Sequence, residues 1–302
     1  MKKSIAILTP AYNRAETLKK LYESLKEQTC CDFLWLIVDD GSQDKTREVV
    51  SSWQAEKKIE IVYFYKSNGG KHTALNEGIA RVENELTFIV DSDDYLPNDA
   101  IELILNYHKK YKPQVEDLSL CGYSFLRCHS DGKVNTAYFP ENEKIETYLQ
   151  ARINGGIGGD KAEVFYTDIL REYPFPIFDG EKFLPEDVVW MRMSEKYNMV
   201  HINEKVYYCD YLEDGLTKSG RRMKFKSPSG MCLRSEIYLN NKDVCIKVKI
   251  KMMILYIIYG KIAGKGYSLL KKSLSDGTSR LIYPVLFLPA LAAEWIWKKK
   301  YS

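Results

Sequence analysis

The chain has little of what most metal, redox and nucleotide sites are built from. Its four histidines, at positions 72, 108, 129 and 201, share no ligand spacing, which argues against a zinc site. His108, beside Lys109 and Lys110, reads as an exposed helix-end residue. Seven cysteines occur without a CxxC pair or a regular framework, and Met1-Lys2-Lys3 leads straight into a strand-like run rather than a signal peptide. They are therefore read as reduced thiols of a cytoplasmic protein, with the adjacent Cys30 and Cys31 unbridged. The formal net charge is only +3, which speaks against a nucleic-acid partner. No uninterrupted apolar run reaches the roughly 20 residues of a spanning helix. Glycine is also missing where a dinucleotide fold needs it, because the loop after the first strand is Thr9-Pro10-Ala11-Tyr12-Asn13. Gly70-Lys71-His72 lacks the spacing and hydroxyl of a Walker loop, so hydride transfer and P-loop phosphoryl transfer are both disfavoured.

What is present is a regular alternation. Apolar, β-prone runs at 4–8, 33–38, 59–64, 86–90 and 118–126 are separated by helical patterns. Among these, Leu18, Leu21, Tyr22 and Leu25 share one face, with Asn13 and Glu16 spaced as a capping box before them. Asn98 or Asp99 is placed to cap a helix running through Tyr111. This order predicts an α/β fold with a largely parallel, doubly wound sheet and helices on both faces. In such a sheet the loops leaving the strand ends gather on one edge, where ligands bind. Thr9 to Asn13, Asp39-Asp40, Asn68 to Lys71 and Asp91-Ser92-Asp93-Asp94 all fall on that edge. Three carboxylates within four residues suit a hard cation such as Mg²⁺ or Mn²⁺, although an Asx-rich turn has the same composition. The set as a whole suits a nucleoside diphosphate. Tyr12 offers a ring for the base and Asp39 or Asp40 an acceptor for its imide N–H. Asp91 suits ribose hydroxyls, Lys71 a phosphate oxygen, and Asp93 a metal between the phosphates.

Taken together, Thr9-Pro10-Ala11-Tyr12-Asn13-Arg14, Val38-Asp39-Asp40-Gly41-Ser42, Asn68-Gly69-Gly70-Lys71 and Asp91-Ser92-Asp93-Asp94 resemble the family 2 glycosyltransferases of GT-A fold. The resemblance spans about the first 125 residues. It implies an inverting transferase with a nucleotide-sugar donor, expected to be a UDP-sugar, and a Mn²⁺ or Mg²⁺ cofactor. It also implies donor contacts at Thr9, Tyr12, Arg14, Asp39, Asp40, Asn68, Gly70, Lys71, Asp91 and Ser92, with Asp93 on the metal. By analogy with bacterial members, the acceptor is a glycan or lipid-linked hydroxyl in surface polysaccharide synthesis.

In the second half, Pro185-Glu186-Asp187 opens a helical pattern. Spacing alone leaves these as ordinary acidic residues of a first turn, favoured by the helix dipole. The resemblance implies instead that Asp187 is the base on the acceptor hydroxyl and Glu186 an acceptor partner. Asn154 to Lys161, with four glycines, reads as an ordered loop lining the acceptor site or as a linker. Residues 211–226, rich in lysine and arginine, read either as a lid over the diphosphate or as a solvated basic loop. Two domains are expected. Residues 1–226 form a catalytic unit, in which 1–125 bind the donor and 126–226 the acceptor. Residues 227–302 form a C-terminal helical segment. That last segment, lysine-rich and interrupted by Pro284 and Pro289, reads as packed on the core or as lying on the inner face of the cell membrane. Two other functions share these motifs: a nucleotidyltransferase acting on sugar phosphates, and a non-catalytic nucleotide-sugar-binding scaffold.

Overall fold

The computed structural model describes residues 2–135, 137–209 and 216–301. An eight-stranded sheet runs through it. The strands are β1 (Ile5–Ala11), β2 (Phe33–Asp39), β3 (Ile61–Tyr65), β4 (Leu86–Ile89), β5 (Leu120–Cys128), β6 (Lys144–Glu146), β7 (Lys161–Tyr166) and β8 (Asn198–Tyr208). Their order is β3-β2-β1-β4-β7-β5-β8-β6. The first four are mutually parallel, as the alternation predicts. β7 then enters antiparallel to both β4 and β5. β5 and β8 are parallel again, and β6 closes the edge antiparallel to β8.

Period-two burial explains why the first strands are continuously apolar. On β1, Ile5 and Ile7 face a core shared with helices α1 (Leu18–Lys26), α2 (Thr46–Glu56) and α4 (Ala100–Tyr111). Ala6 and Leu8 face the opposite core, shared with α3 (Lys71–Arg81), α5 (Thr167–Glu172) and α6 (Asp187–Met193). Both faces are covered, so neither tolerates polar alternation. Tyr22, Trp35 and Trp53 stack across the first core, with Tyr22 and Trp53 centroids 4.4 Å apart.

After α7 (Leu216–Phe225), a third core lies among α8 (Pro228–Asn240), α9 (Ile246–Ile262), α10 (Tyr267–Ser273) and α11 (Gly277–Tyr301). It includes Met191 of α6, so the C-terminal helices are seated on the sheet-bearing body rather than beside it. Among the described residues no helix is long and apolar enough to cross a membrane. Of the expected lid, Tyr211 to Gly215 lie outside the described residues, and the remainder begins as α7.

Two local expectations are corrected. Asn13 forms no capping box, since α1 starts at Leu18 behind Thr17. Asn13 instead sits in the left-handed region (φ 54°), and its Oδ1 accepts from the Gln43 N–H at 2.8 Å. Its side chain is spent on tying the first loop to the second. His108 is buried, not exposed. Its Nδ1 lies 3.3 Å from the hydroxyls of Tyr123 and Tyr166, and its Nε2 lies 3.4 Å from Glu85. Lysines flanking it in sequence concealed that it points inward from α4.

Candidate active site

The four polar loops do meet at the C-terminal edge of β3-β2-β1-β4, each for a local reason. Asp39 ends β2 and is fully buried. Its Oδ1 accepts from the Ser42 N–H at 2.7 Å and its Oδ2 from the Tyr63 hydroxyl. Asp40 takes four donors: the Gly69 and Gly70 N–H groups at 2.9 and 2.7 Å, Asn68 Nδ2 at 3.2 Å and Lys66 Nζ at 2.6 Å. A buried carboxylate with this many donors is fully satisfied. Asp40 therefore organises the glycine loop, and of the two only Asp39 retains acceptor capacity. Asn68 completes the same knot, donating to the Asp40 carbonyl at 2.8 Å and accepting from Lys182 Nζ at 2.6 Å.

Gly70 holds φ +95°, and a Cβ there would collide with the backbone carbonyl of Lys182. A left-handed backbone and a close backbone approach both require glycine. Gly70→Ala is expected to destabilise the chain by about 2 kcal/mol and to push the 182 segment away from the crevice. Denaturant unfolding checks the first effect, and weakened nucleotide binding checks the second.

Lys71 opens α3 and joins the two halves of the crevice. Its ammonium is paired with Asp91 and lies 2.6 Å from Glu186 Oε1. Burial would lower the Lys71 pKa, but the charges of Asp91 and Glu186 raise it above its ordinary value. Burial likewise acts to raise Asp91, while Lys71 and Arg127 outweigh it and bring the carboxyl down to about 2. Arg127 lies 3.5 Å from Asp91 and 3.7 Å from Asp94. It stacks 4.1 Å above the ring of Tyr207 and donates from Nε to the Lys161 carbonyl at 2.8 Å. The Tyr207 hydroxyl accepts the Asp91 N–H at 2.9 Å and donates to Asp94 at 2.8 Å. Asp94 is pushed up to about 7 by burial and by the charge of Asp91. The crowding of carboxylates is thus relieved by two cations on Asp91 and a readily held proton on Asp94.

Asp93 stands apart. It is partly exposed and its ion-pair partner is Arg14, at 3.8 Å. Among the described residues no three His, Cys, Asp or Glu side chains gather around one point as a metal cage. A lone available carboxylate fits a Mg²⁺ or Mn²⁺ ion that takes its remaining ligands from substrate phosphates and water. Tyr12 is 45% exposed, leaving its ring open for stacking. Ser92 is buried between the carboxylates. Thr9 departs from expectation: it is fully buried, and its Oγ1 accepts from Trp35 Nε1 at 3.0 Å. It faces the core, so its contribution to the crevice is limited to backbone.

On the other wall, Glu186 and Asp187 start α6 and diverge. Glu186 points to Lys71, whereas Asp187 points to α8. Arg234 Nε lies 2.8 Å from both Asp187 oxygens, and its terminal nitrogen lies 2.5 Å from Oδ2. Tyr238 also donates to Oδ2 at 2.7 Å. Burial would raise the Asp187 pKa, but Arg234 and then Tyr238 hold it below the usual carboxylate range. Oδ2 carries three donors and Oδ1 one, so Oδ1 keeps the spare lone pair. Near the 154–161 loop, Arg152 Nε donates to the Ile157 carbonyl at 3.0 Å and its NH1 lies 3.3 Å from Glu163. Burial pushes Glu163 up to about 7 despite Arg152. The loop is tied in place and is not a slack linker. Lys66, Arg127, Lys182, Tyr207, Arg234 and Tyr238 were all missed from sequence. The one local signal was Arg127, which directly follows the fifth apolar run.

The chain has counterparts in sequence and in fold. Residues 6–126 match the sequence profile described as Glycosyl transferase family 2. These residues form a family 2 glycosyltransferase domain. An uncharacterized glycosyltransferase of Rickettsia felis is 36% identical over 217 residues, covering 67% of this chain and 32% of the relative. Chondroitin synthase of Pasteurella multocida is 34% identical over 153 residues, covering 49% of this chain and 15% of the synthase. The chain therefore spans well under half the length of these relatives. Among solved structures, S. aureus TarS 1-349 in complex with UDP-GlcNAc superposes with a TM-score of 0.60 at 19% identity, over 86% of this chain and 72% of that one. The mannosyltransferase PcManGT of Pyrobaculum calidifontis, in complex with GDP-Man and Mn²⁺, gives 0.61 at 14% identity, over 99% and 88%. The expected GT-A-like fold is thereby established.

Proposed function

We propose that this chain is an inverting glycosyltransferase. In this reading it moves a sugar from a UDP-sugar to a hydroxyl of a glycan or lipid-linked acceptor, in surface polysaccharide synthesis at the cytoplasmic face of the membrane. One observation carries the proposal: Lys71 joins Asp91 of the donor loops to Glu186, the neighbour of Asp187, so the acidic centres of the two halves adjoin one crevice. The complexes of TarS with UDP-GlcNAc and PcManGT with GDP-Man support the donor class, and similarity to chondroitin synthase supports the acceptor class.

Donor binding rests on Tyr12 against the base, Asp39 on the imide N–H and Asp91 on ribose hydroxyls. The loop knotted by Asp40 brings the N-terminus of α3 to the diphosphate, where the dipole and Lys71 favour negative charge. Asp93 with the donor's phosphate oxygens would hold Mn²⁺ or Mg²⁺, which neutralises charge on the departing diphosphate. The acceptor hydroxyl attacks the anomeric carbon as its C–O bond to the diphosphate breaks. Asp187 Oδ1 takes the hydroxyl proton and nucleoside diphosphate leaves. Glu186 holds the acceptor and steadies Lys71.

The test is a donor screen by thermal shift with and without Mn²⁺, followed by product analysis. A bound donor at about 100 times its Kd raises stability by about 2.7 kcal/mol. Release of nucleoside diphosphate with a glycosylated acceptor is expected. Release of pyrophosphate would establish a nucleotidyltransferase instead, and donor binding without turnover over a broad acceptor panel would establish a scaffold.

A further inference from the structure

Helix α11 reverses the usual arrangement of a surface helix, whose outer face should be polar. Its inner face packs normally, with Tyr283 and Ala290 buried and Trp297 6.3 Å from Tyr259 of α9. Its outer face is just as apolar. Leu281, Val285, Leu288 and Trp295 are 75%, 72%, 74% and 62% exposed. The remaining exposed positions between Leu281 and Trp295 are Pro284, Pro289 and Ala292. No charged residue stands between Arg280 and Glu294, and Glu294 is buried. Tyr267 of α10 extends the face, since its ring lies 4.7 Å from Phe287 and Lys271 Nζ lies 6.0 Å from it.

The charge around this face is one-sided. Residues 244–302 contain eleven Lys and Arg against two Asp and Glu, a formal +9, whereas residues 1–243 sum to −6. Both acids are withdrawn: Glu294 is buried and Asp276 is paired with Lys249 at 2.7 Å. Lys271, Lys272 and Arg280 are exposed near the start of α11, and Lys298-Lys299-Lys300 follow Trp297 in sequence.

We propose that the outer face of α11, with Tyr267 at its edge, docks on an anionic lipid bilayer, lying in the headgroup region rather than crossing it. Three arguments select lipid over a second copy of the chain. A +9 segment repels its own copy and is attracted to anionic headgroups. Pro284 and Pro289 lack N–H groups, so the carbonyls of Arg280 and Val285 lose their helical partners. A dry helix–helix seam would leave those carbonyls unsatisfied, whereas a headgroup layer is wet. A stripe of large apolar side chains with a terminal tryptophan and flanking lysines is the composition of an interfacial helix.

The experiment is flotation of the 302-residue chain with phosphatidylcholine vesicles, alone or containing about a quarter phosphatidylglycerol. Binding to the anionic vesicles, and its loss at about 1 M salt, is expected. The combined variant Val285→Ser, Leu288→Gln, Trp295→Ser should lower the bound fraction roughly tenfold. Lys271→Glu with Lys272→Glu should lower it as well. All five side chains are exposed, so the circular dichroism spectrum and melting midpoint should be unchanged. Absence of vesicle binding, or wild-type binding by the triple variant, would overturn the proposal. So would a dimer, seen by light scattering, that the triple variant dissolves while vesicles remain unbound.

Discussion

Asp187→Asn is expected to lower kcat by about 10²- to 10⁴-fold, the range of a lost general base, with donor KM nearly unchanged. The amide fills the same space but takes no proton. A companion variant separates chemistry from architecture. Arg234→Met removes the charge that holds Asp187 low against burial. The Asp187 pKa then rises, and because only the ionised form accepts a proton, the acidic limb of kcat/KM moves to higher pH. The same change uncovers a buried carboxylate, at a cost of about 3 kcal/mol or more in unfolding. A pH–rate profile and a denaturation curve check the two halves. Normal turnover by Asp187→Asn would transfer the base assignment to Glu186, and Glu186→Gln would then be the inactive variant.

The second large effect is expected at Asp93. Asp93→Asn should reduce turnover by at least about 10²-fold, as loss of electrostatic stabilisation at a leaving group does, while the fold is unaffected. Its ion pair with Arg14, at 3.8 Å and partly exposed, contributes about 1 kcal/mol at most. Asp91→Asn is the contrast: it strips Lys71 and Arg127 of a shared counter-ion and should destabilise the chain as well as inactivate it. Titration of Mn²⁺ in the presence of nucleoside diphosphate should show weakened metal binding in Asp93→Asn. Unchanged metal affinity there would remove Asp93 from the ligand set.

The meeting of the four N-terminal loops was legible because its signals are local. Each motif directly follows an apolar run, and a parallel sheet places such loops on one edge whatever their sequence separation. Roles within the loops were less legible. Asp39 and Asp40 are neighbours with one side-chain type, yet only the structure shows that Asp40 is consumed by Gly69, Gly70, Asn68 and Lys66. Thr9 failed for a similar reason, since a hydroxyl at a strand end is equally suited to a ligand or to Trp35. The partners that set ionisation were illegible. Arg127 and Tyr207 reach Asp91 from far along the chain, and Arg234 and Tyr238 reach Asp187 from the C-terminal helices. No periodicity encodes such pairings. The insertion of β7 between β4 and β5 was hidden likewise, because the antiparallel registry of β4 and β7 joins residues as distant in sequence as Leu86 and Tyr166.

The clamp on Asp187 has a consequence for modularity. The sequence alone draws a boundary near residue 227, and an engineer following it would cut there and graft a foreign C-terminal segment. Such a chimaera would keep the four N-terminal loops and both Glu186 and Asp187. It would nevertheless lose Arg234 and Tyr238, leaving the carboxylate without its orientation or its low pKa. Transplantable units in this architecture therefore begin before α6 and carry α8 with it. Recombination boundaries should be drawn by that ion pair rather than by the gap between helices.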